Sequence, residues 1–188
     1  MVDAYNFALL IADLVPRIFA VPYQTLMPVF QKDVLHVGPE GLGFLMAAPA
    51  VGAILGLFTL ASLSNLFRQR GLLLLSAIAS MGLFLVVFSW ISSFPLALIV
   101  LVAVGYCQSL CIITTNTLIQ VMVPDALRGR VMGLYMLDRG LMPAGSLLAG
   151  ATAQFIGAPA TVEIMGFLVI LLALAIGFGM PIIRKIET

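Results

Sequence analysis

The sequence predicts an all-α membrane protein of six transmembrane helices. Three observations carry that prediction. Of 188 residues, 62% are hydrophobic and 9% charged, and the mean hydropathy is +1.18. The charges fall in short clusters between long uncharged runs. Every connection between the runs is short and rich in turn residues, which leaves no room for a soluble domain. A water-facing domain of this length needs far more polar surface. In hydrocarbon a run of about 20 apolar residues satisfies its own backbone as a spanning helix.

The punctuation places helices at about 5–30, 41–63, 72–91, 95–123, 130–155 and 161–183, in a single six-helix domain covering 1–188. Gly38-Pro39 closes the first connection, and Ser64-Asn65 through Gly71 form the second. Ser93 and Pro95 read as the N-cap and first-turn proline of the fourth helix. Pro124-Asp125 and Gly157-Ala158-Pro159 mark the last two breaks.

Lys and Arg set the orientation. Arg68, Arg70, Arg128, Arg130, Arg184 and Lys185 lie on one side and Lys32 alone on the other. The positive-inside rule then puts both termini in the cytoplasm. Tyr23 and Trp90 fall near the outer interface, where amphipathic aromatics concentrate. Met1 precedes the first helix without a basic stretch or cleavage site, so no removable signal peptide is expected.

Ionisable groups in hydrocarbon need a partner or a wet cavity. Four fall within the spans: Asp13, Arg17, Asp138 and Arg139. At 100° per residue, Asn6, Asp13, Arg17, Gln24 and Gln31 lie within about 40° of one another, one polar stripe along a helix interrupted by Pro16, Pro22 and Pro28. The fourth helix carries a second stripe of Tyr106, Ser109, Asn116 and Gln120, flanked by Gln108, Cys111 and Thr115. At about 1.5 Å per residue, Asp13, Asn116 and Asp138 lie in one layer, roughly 10–12 Å from the cytoplasmic side. The expected cavity is therefore lined by Asp13, Arg17, Gln24, Gln108, Asn116, Gln120, Asp138 and Arg139. Asp13 and Arg17, spaced i,i+4 with the acid first, have two readings: an intrahelical salt bridge, or a substrate or proton site. Asp138 and Arg139 point about 100° apart and need partners on other helices.

Small residues form two ridges: Ala48, Gly52 and Gly56 on the second helix, and Gly145, Ala149 and Ala153 on the fifth. Such ridges let helix backbones approach closely, and here they are assigned to a homodimer interface. The third and sixth helices have almost no polar face and read as lipid-facing. Cys107 and Cys111 read as packing residues, and His36 as a solvated loop residue. No nucleophile–base pair, metal cluster or phosphate loop is legible, so an enzyme, a cofactor and a metal are not expected. A net charge of +1 without a basic stripe gives no reason to expect nucleic acid.

The run Val123-Pro124-Asp125-Ala126-Leu127-Arg128-Gly129-Arg130-Val131-Met132-Gly133-Leu134-Tyr135, continued by Arg139-Gly140-Leu141-Met142-Pro143-Ala144-Gly145, resembles the loop and helix between the tenth and eleventh spans of major facilitator superfamily transporters. The combination is similar to the branch of drug and siderophore exporters. The resemblance implies the carboxyl-terminal half of a twelve-helix fold, built as two inverted three-helix units. It also implies that helices one and four line a central cavity, two and five flank the partner half, and three and six face lipid. The superfamily's cytoplasmic signature is altered: Ala61, Asn65 and Arg68 stand where the pattern has glycine, an acid and glycine. The implied function is a half-size transporter acting as a homodimer, exporting a small organic molecule by alternating access, with Asp13 open to proton coupling. One chain of a split transporter and a non-transporting accessory subunit are the alternatives.

Overall fold

The structure, a computed structural model, describes residues 14–63, 70–122 and 142–179, with the isolated positions Gly129, Gly133 and Gly140. Among these the only regular structure is helical. Composite helix α1 (residues 14–34) is followed by α2 (Pro39–Leu63), α3 (Arg70–Ser89), α4 (Phe94–Met122), α5 (Met142–Ile156) and α6 (Ala158–Gly179). The first part of expected helix 5–30, the last residue of 95–123, most of the first turns of 130–155 and the end of 161–183 lie outside the described residues. Four of the helices, α2, α3, α4 and α6, are long and apolar enough to cross a membrane.

The first helix departs from a regular span. It winds in successive segments, π over Pro16–Ala20, 3₁₀ over Val21–Leu26, α over Met27–Val29 and π again over Phe30–Val34. The first three each carry a proline at their first or second position. Pro22 and Pro28 offer no N–H to the carbonyls of Ile18 and Gln24, so the chain changes pitch there instead of continuing one ladder. The helix ends in a tied turn. The Leu35 and Val37 amides donate to the carbonyls of Phe30 and Gln31, and the Gln31 side-chain amide donates to the Val37 carbonyl. His36 takes a left-handed φ of 50° and its Nδ1–H donates to the Lys32 carbonyl at 3.0 Å, an exposed loop position as expected.

The fourth helix opens at Phe94 with the Ala97 amide donating to the Ser93 carbonyl. Helices α5 and α6 are joined by one residue. Gly157 adopts φ +85°, its amide donates to the Ala153 carbonyl, and its own carbonyl receives both the amide and the hydroxyl of Thr161. A left-handed residue that closes one helix and opens the next calls for glycine.

The bundle is built from three main helix pairs: α2 with α4, α3 with α6, and α1 with α5; α4 also packs along α3. Phe30 of α1 meets Phe88 of α3 with ring centroids 4.7 Å apart, both fully buried. Two expectations are corrected here. Tyr23 is not at an interface but only 1% exposed, within the core; Trp90, by contrast, is exposed beyond the end of α3. Helix α3 is the most enclosed of the four candidate spans, with 56% of its most apolar stretch buried against 28% for α2. A helix apolar all round suits protein neighbours as well as lipid, and composition alone does not separate them.

At the α3–α6 crossing, glycine faces glycine. A Cβ added to Gly82 would lie 2.7 Å from the Gly166 carbonyl oxygen, and one added to Gly166 would lie 2.7 Å from that of Gly82. Gly82→Val and Gly166→Val should each destabilise the fold by about 1–3 kcal/mol through overpacking. Gly43→Ala, into open space, should leave it unchanged or stabilise it by up to about 1 kcal/mol. Thermal unfolding in detergent, followed by loss of helical circular dichroism, checks the contrast.

Candidate functional site

The small-residue ridges come first, because they decide which faces remain open. Gly52 lies against the backbone of Val102 and Tyr106 on α4, and Gly56 against Ser109 Oγ and the Tyr106 carbonyl. Gly145 lies against the Ile18 carbonyl and the Pro22 ring on α1. Ala48 and Ala149 are buried, and Ala153 packs half-buried against the core. The ridges are therefore filled from within the chain, which corrects their assignment to a dimer contact. Four-residue spacing of small side chains identifies a close helix contact but not which helix supplies the other side.

The same contacts divide the polar stripe of α4. Ser109 donates to the Tyr106 carbonyl at 2.9 Å and both residues stand against α2, so they belong to a helix–helix contact. Gln108 and Asn116 are half-buried and Gln120 is exposed. On α1, Arg17 and Gln24 are half-buried, while Gln31 is used in the turn described above. Asp13, Asp138 and Arg139 lie outside the described residues. Helices α1 and α4 do not form one of the packed pairs; each is backed by its own neighbour, α5 and α2. The described members of the expected cavity thus sit on two separate walls, Arg17 and Gln24 on one, Gln108, Asn116 and Gln120 on the other. A cation and amides partly open to the surroundings can offer a polar solute charge and hydrogen bonds.

Thr114 was not among the expected site residues. It and Thr115 are at most 2% exposed, and their hydroxyls have no hydrogen-bond partner among the described residues. Thr59, Thr117, Thr152 and Thr161 all donate to the carbonyl four residues back, the usual solution for a helical threonine. The sequence signal was the adjacent pair of threonines ahead of Asn116 and Thr117, which the stripe analysis registered only for Thr115. Cys107 and Cys111 are buried on the same helix and form no disulfide.

A second open surface belongs to α5 alone. Pro143, Ser146, Leu147, Gly150, Ala151 and Gln154 line a shallow hollow of about 680 Å³ along one face, and Gly150 has open space above it. Helix α2 likewise leaves Phe44, Val51, Ile54, Leu55 and Phe58 exposed. Gly52→Leu should lower the unfolding temperature of the isolated chain, by the same overpacking cost of about 1–3 kcal/mol. Gly150→Ala, into open space, should leave it unchanged or raise it slightly.

The sequence model of the transmembrane secretion effector family matches residues 7–187. The chain is similar to the multidrug efflux pump Tap of Mycolicibacterium fortuitum, at 29% identity over 95% of this chain and 43% of that protein. It is 29% identical to the staphyloferrin A transporter of Staphylococcus aureus, over 83% of this chain and 39% of the relative. It is 31% identical to the enterobactin exporter EntS of Escherichia coli O81, over 67% of this chain and 30% of the relative. The chain spans less than half the length of these relatives. No solved structure matches it.

Proposed function

This chain belongs to the transmembrane secretion effector family, within the major facilitator superfamily, and we propose that it is one six-helix half of a bacterial efflux transporter for a small organic molecule. The observation that carries this reading is the pair of polar walls: α1 and α4 bear half-open polar groups yet do not pack on each other. In a bilayer such groups need a wet, enclosed space, and a single half leaves that space without its far side. A second bundle completes it. The occupant we propose is a second copy, related by a two-fold axis along the membrane normal. It is seated on the open faces of α2 and α5 rather than on their glycine ridges. Rocking of the two bundles about the shared cavity gives alternating access. The short span relative to the exporters makes a separate amino-terminal half the competing partner for the same faces.

An internal two-unit arrangement is supported by the glycine contacts. Gly145 of α5 sits on Ile18 and Pro22 of α1, and Gly52 of α2 sits on Val102 and Tyr106 of α4. One offset of 84 residues relates Ile18 to Val102, Pro22 to Tyr106, and Gly82 to its own partner Gly166. Exchanging helices one, two and three for four, five and six thus keeps the pairing. Three helices per unit is an odd number, so the units run in opposite senses through the membrane.

The coupling group we propose is Asp13, with Arg17 as its partner and Asn116, Gln120 and Arg139 around it. A carboxylate in a space that opens to each side in turn can take up and release a proton. Proteoliposome efflux driven by a pH gradient tests this. Asp13→Asn should keep the fold and abolish the pH-driven component. Arg17→Ala should destabilise the fold more than Asp13→Asn does, since an acid is left without its cation. Full activity of the Asp13→Asn, Arg17→Gln double variant would show the pair to be structural and remove Asp13 from the site. Cross-linking between copies through cysteines at Gly150 should join two chains; failure to do so with the chain alone removes the homodimer.

Topology is tested separately. A cysteine at Lys32 should react with an impermeant maleimide from outside only, and one at Arg68 from the cytoplasm only. Background is low because Cys107 and Cys111 are buried. Mixed access at either position excludes a single orientation.

A further inference from the structure

The 84-residue offset that relates the helix contacts also relates a pair of amides. It takes Gln24 to Gln108 and Thr25 to Ser109, so α1 and α4 each hold a glutamine followed by a short hydroxyl residue. The hydroxyls bond alike. Thr25 donates to the Pro22 carbonyl at 2.8 Å and Ser109 to the Tyr106 carbonyl at 2.9 Å, and Pro22 and Tyr106 obey the same offset. Thr25 in this departs from Thr59, Thr117, Thr152 and Thr161, which donate four residues back. Depth follows from the same relation. Gly82 and Gly166 are each other's equivalents, so their contact lies on the axis that exchanges the units. For inverted units that axis runs in the membrane plane. Gln108 is the central residue of the 29-residue α4, two positions past Tyr106, which packs on Gly52 near the middle of α2. A group at mid-depth in one unit has its equivalent at mid-depth in the other. Gln24 and Gln108 therefore share one level on the two polar walls, and both are half-buried.

We propose that Gln24 and Gln108 are a matched pair of binding residues that select an uncharged solute with adjacent hydrogen-bond donor and acceptor, the pattern of a lactam or other amide. This rests on the two-unit, shared-cavity reading of the efflux function and names the solute chemistry of that cavity. A carboxamide presents N–H donors and an acceptor oxygen side by side and bears no charge. An amide with N–H and C=O on one edge pairs with it through two hydrogen bonds. Charge is kept away from this level. Helix α4 has no acidic or basic residue along its length. On the described part of α1 the nearest, Arg17 and Lys32, stand seven and eight residues from Gln24, about 10–12 Å along the helix. An organic cation at mid-depth meets no acidic residue among those described, whereas a neutral amide finds its complement on each wall. Asp13 lies eleven residues before Gln24, so proton exchange and solute recognition occupy different levels.

Binding, read without any gradient, tests the pair. The probe is radiolabelled cyclo(Leu-Leu), a neutral ring with two amides whose N–H and C=O lie on one edge, bound at equilibrium to the reconstituted chain. Its N,N′-dimethylated analogue lacks both donors. The native chain should bind the unmethylated ring at least about tenfold more tightly, as lost hydrogen bonds predict. Gln24→Leu and Gln108→Leu should each weaken that binding about tenfold and leave the methylated ring little changed, with helical circular dichroism unaltered. A residue that only supports the fold would weaken both rings alike, so loss of the preference marks direct contact. A preference that survives both substitutions, binding of tetraphenylphosphonium in place of the ring, or binding of neither ring overturns the proposal. Water access separates this from the reading beneath it. Gln24→Cys and Gln108→Cys should react with a water-soluble methanethiosulfonate in the bilayer, over a low background because Cys107 and Cys111 are buried. No reaction at either position refutes the shared wet cavity. Reaction at both, with no preference between the rings, overturns only the amide pairing.

Discussion

Helices in hydrocarbon have no hydrophobic effect to draw them together, so close backbone contact has to supply much of the cohesion. This chain concentrates that contact at glycines. Gly52 and Gly56 admit α4 to α2, Gly105 lies on the Pro49 backbone from the other side, Gly145 admits α1 to α5, and Gly82 and Gly166 admit each other. Backbone at that range allows Cα–H donors to meet carbonyl oxygens and brings many atoms within dispersion range. The rest of the architecture follows from these seams. They fix which helices are paired, and so which faces are left over for a cavity, a partner and lipid.

The helices were legible because charge, proline and glycine interrupt apolar runs at the right intervals. Observed limits such as Pro39–Leu63 and Phe94–Met122 fall within a few residues of the expected ones. What the pattern did not carry was the identity of each neighbour. Tyr106 and Ser109 share a helical face with Asn116 and Gln120, yet α2 covers the first two and leaves Gln120 exposed. The ridge at Ala48, Gly52 and Gly56 reads identically whether its complement is a second copy or the next helix but one. The bare surface of α3 reads as lipid-facing although much of it is core. Apolarity and small size are necessary for both environments, and distance along the sequence holds no record of which is met. Of the expected cavity, only Arg17, Gln24, Gln108, Asn116 and Gln120 are among the described residues.

Helix α1 shows how a local defect and a tertiary contact answer each other. Pro22 removes the amide that in a regular α-helix would bond the Ile18 carbonyl, and the winding changes there. That carbonyl is the one Gly145 approaches, with the Pro22 ring beside it. A residue with any side chain at position 145 would hold α5 away and leave the carbonyl to a poorer neighbour. The irregular winding of α1 is thus tolerated because the opposing helix offers a bare backbone at that depth.

The one-residue junction at Gly157 has a mechanical consequence. Both helices share the Gly157 linkage: its amide is bound into the end of α5, and its carbonyl into the first turn of α6. No slack segment lies between them, so neither helix can turn about its own axis without transmitting torque to the other. A tilt imposed on α5 at its open face is delivered to α6, and through the Gly166 seam to α3. By contrast, α1 and α2 meet through the four residues 35–38, with hydrogen bonds at both ends of the turn but extra backbone to absorb rotation. Of these two junctions, the first behaves as a rigid crank and the second as a compliant joint.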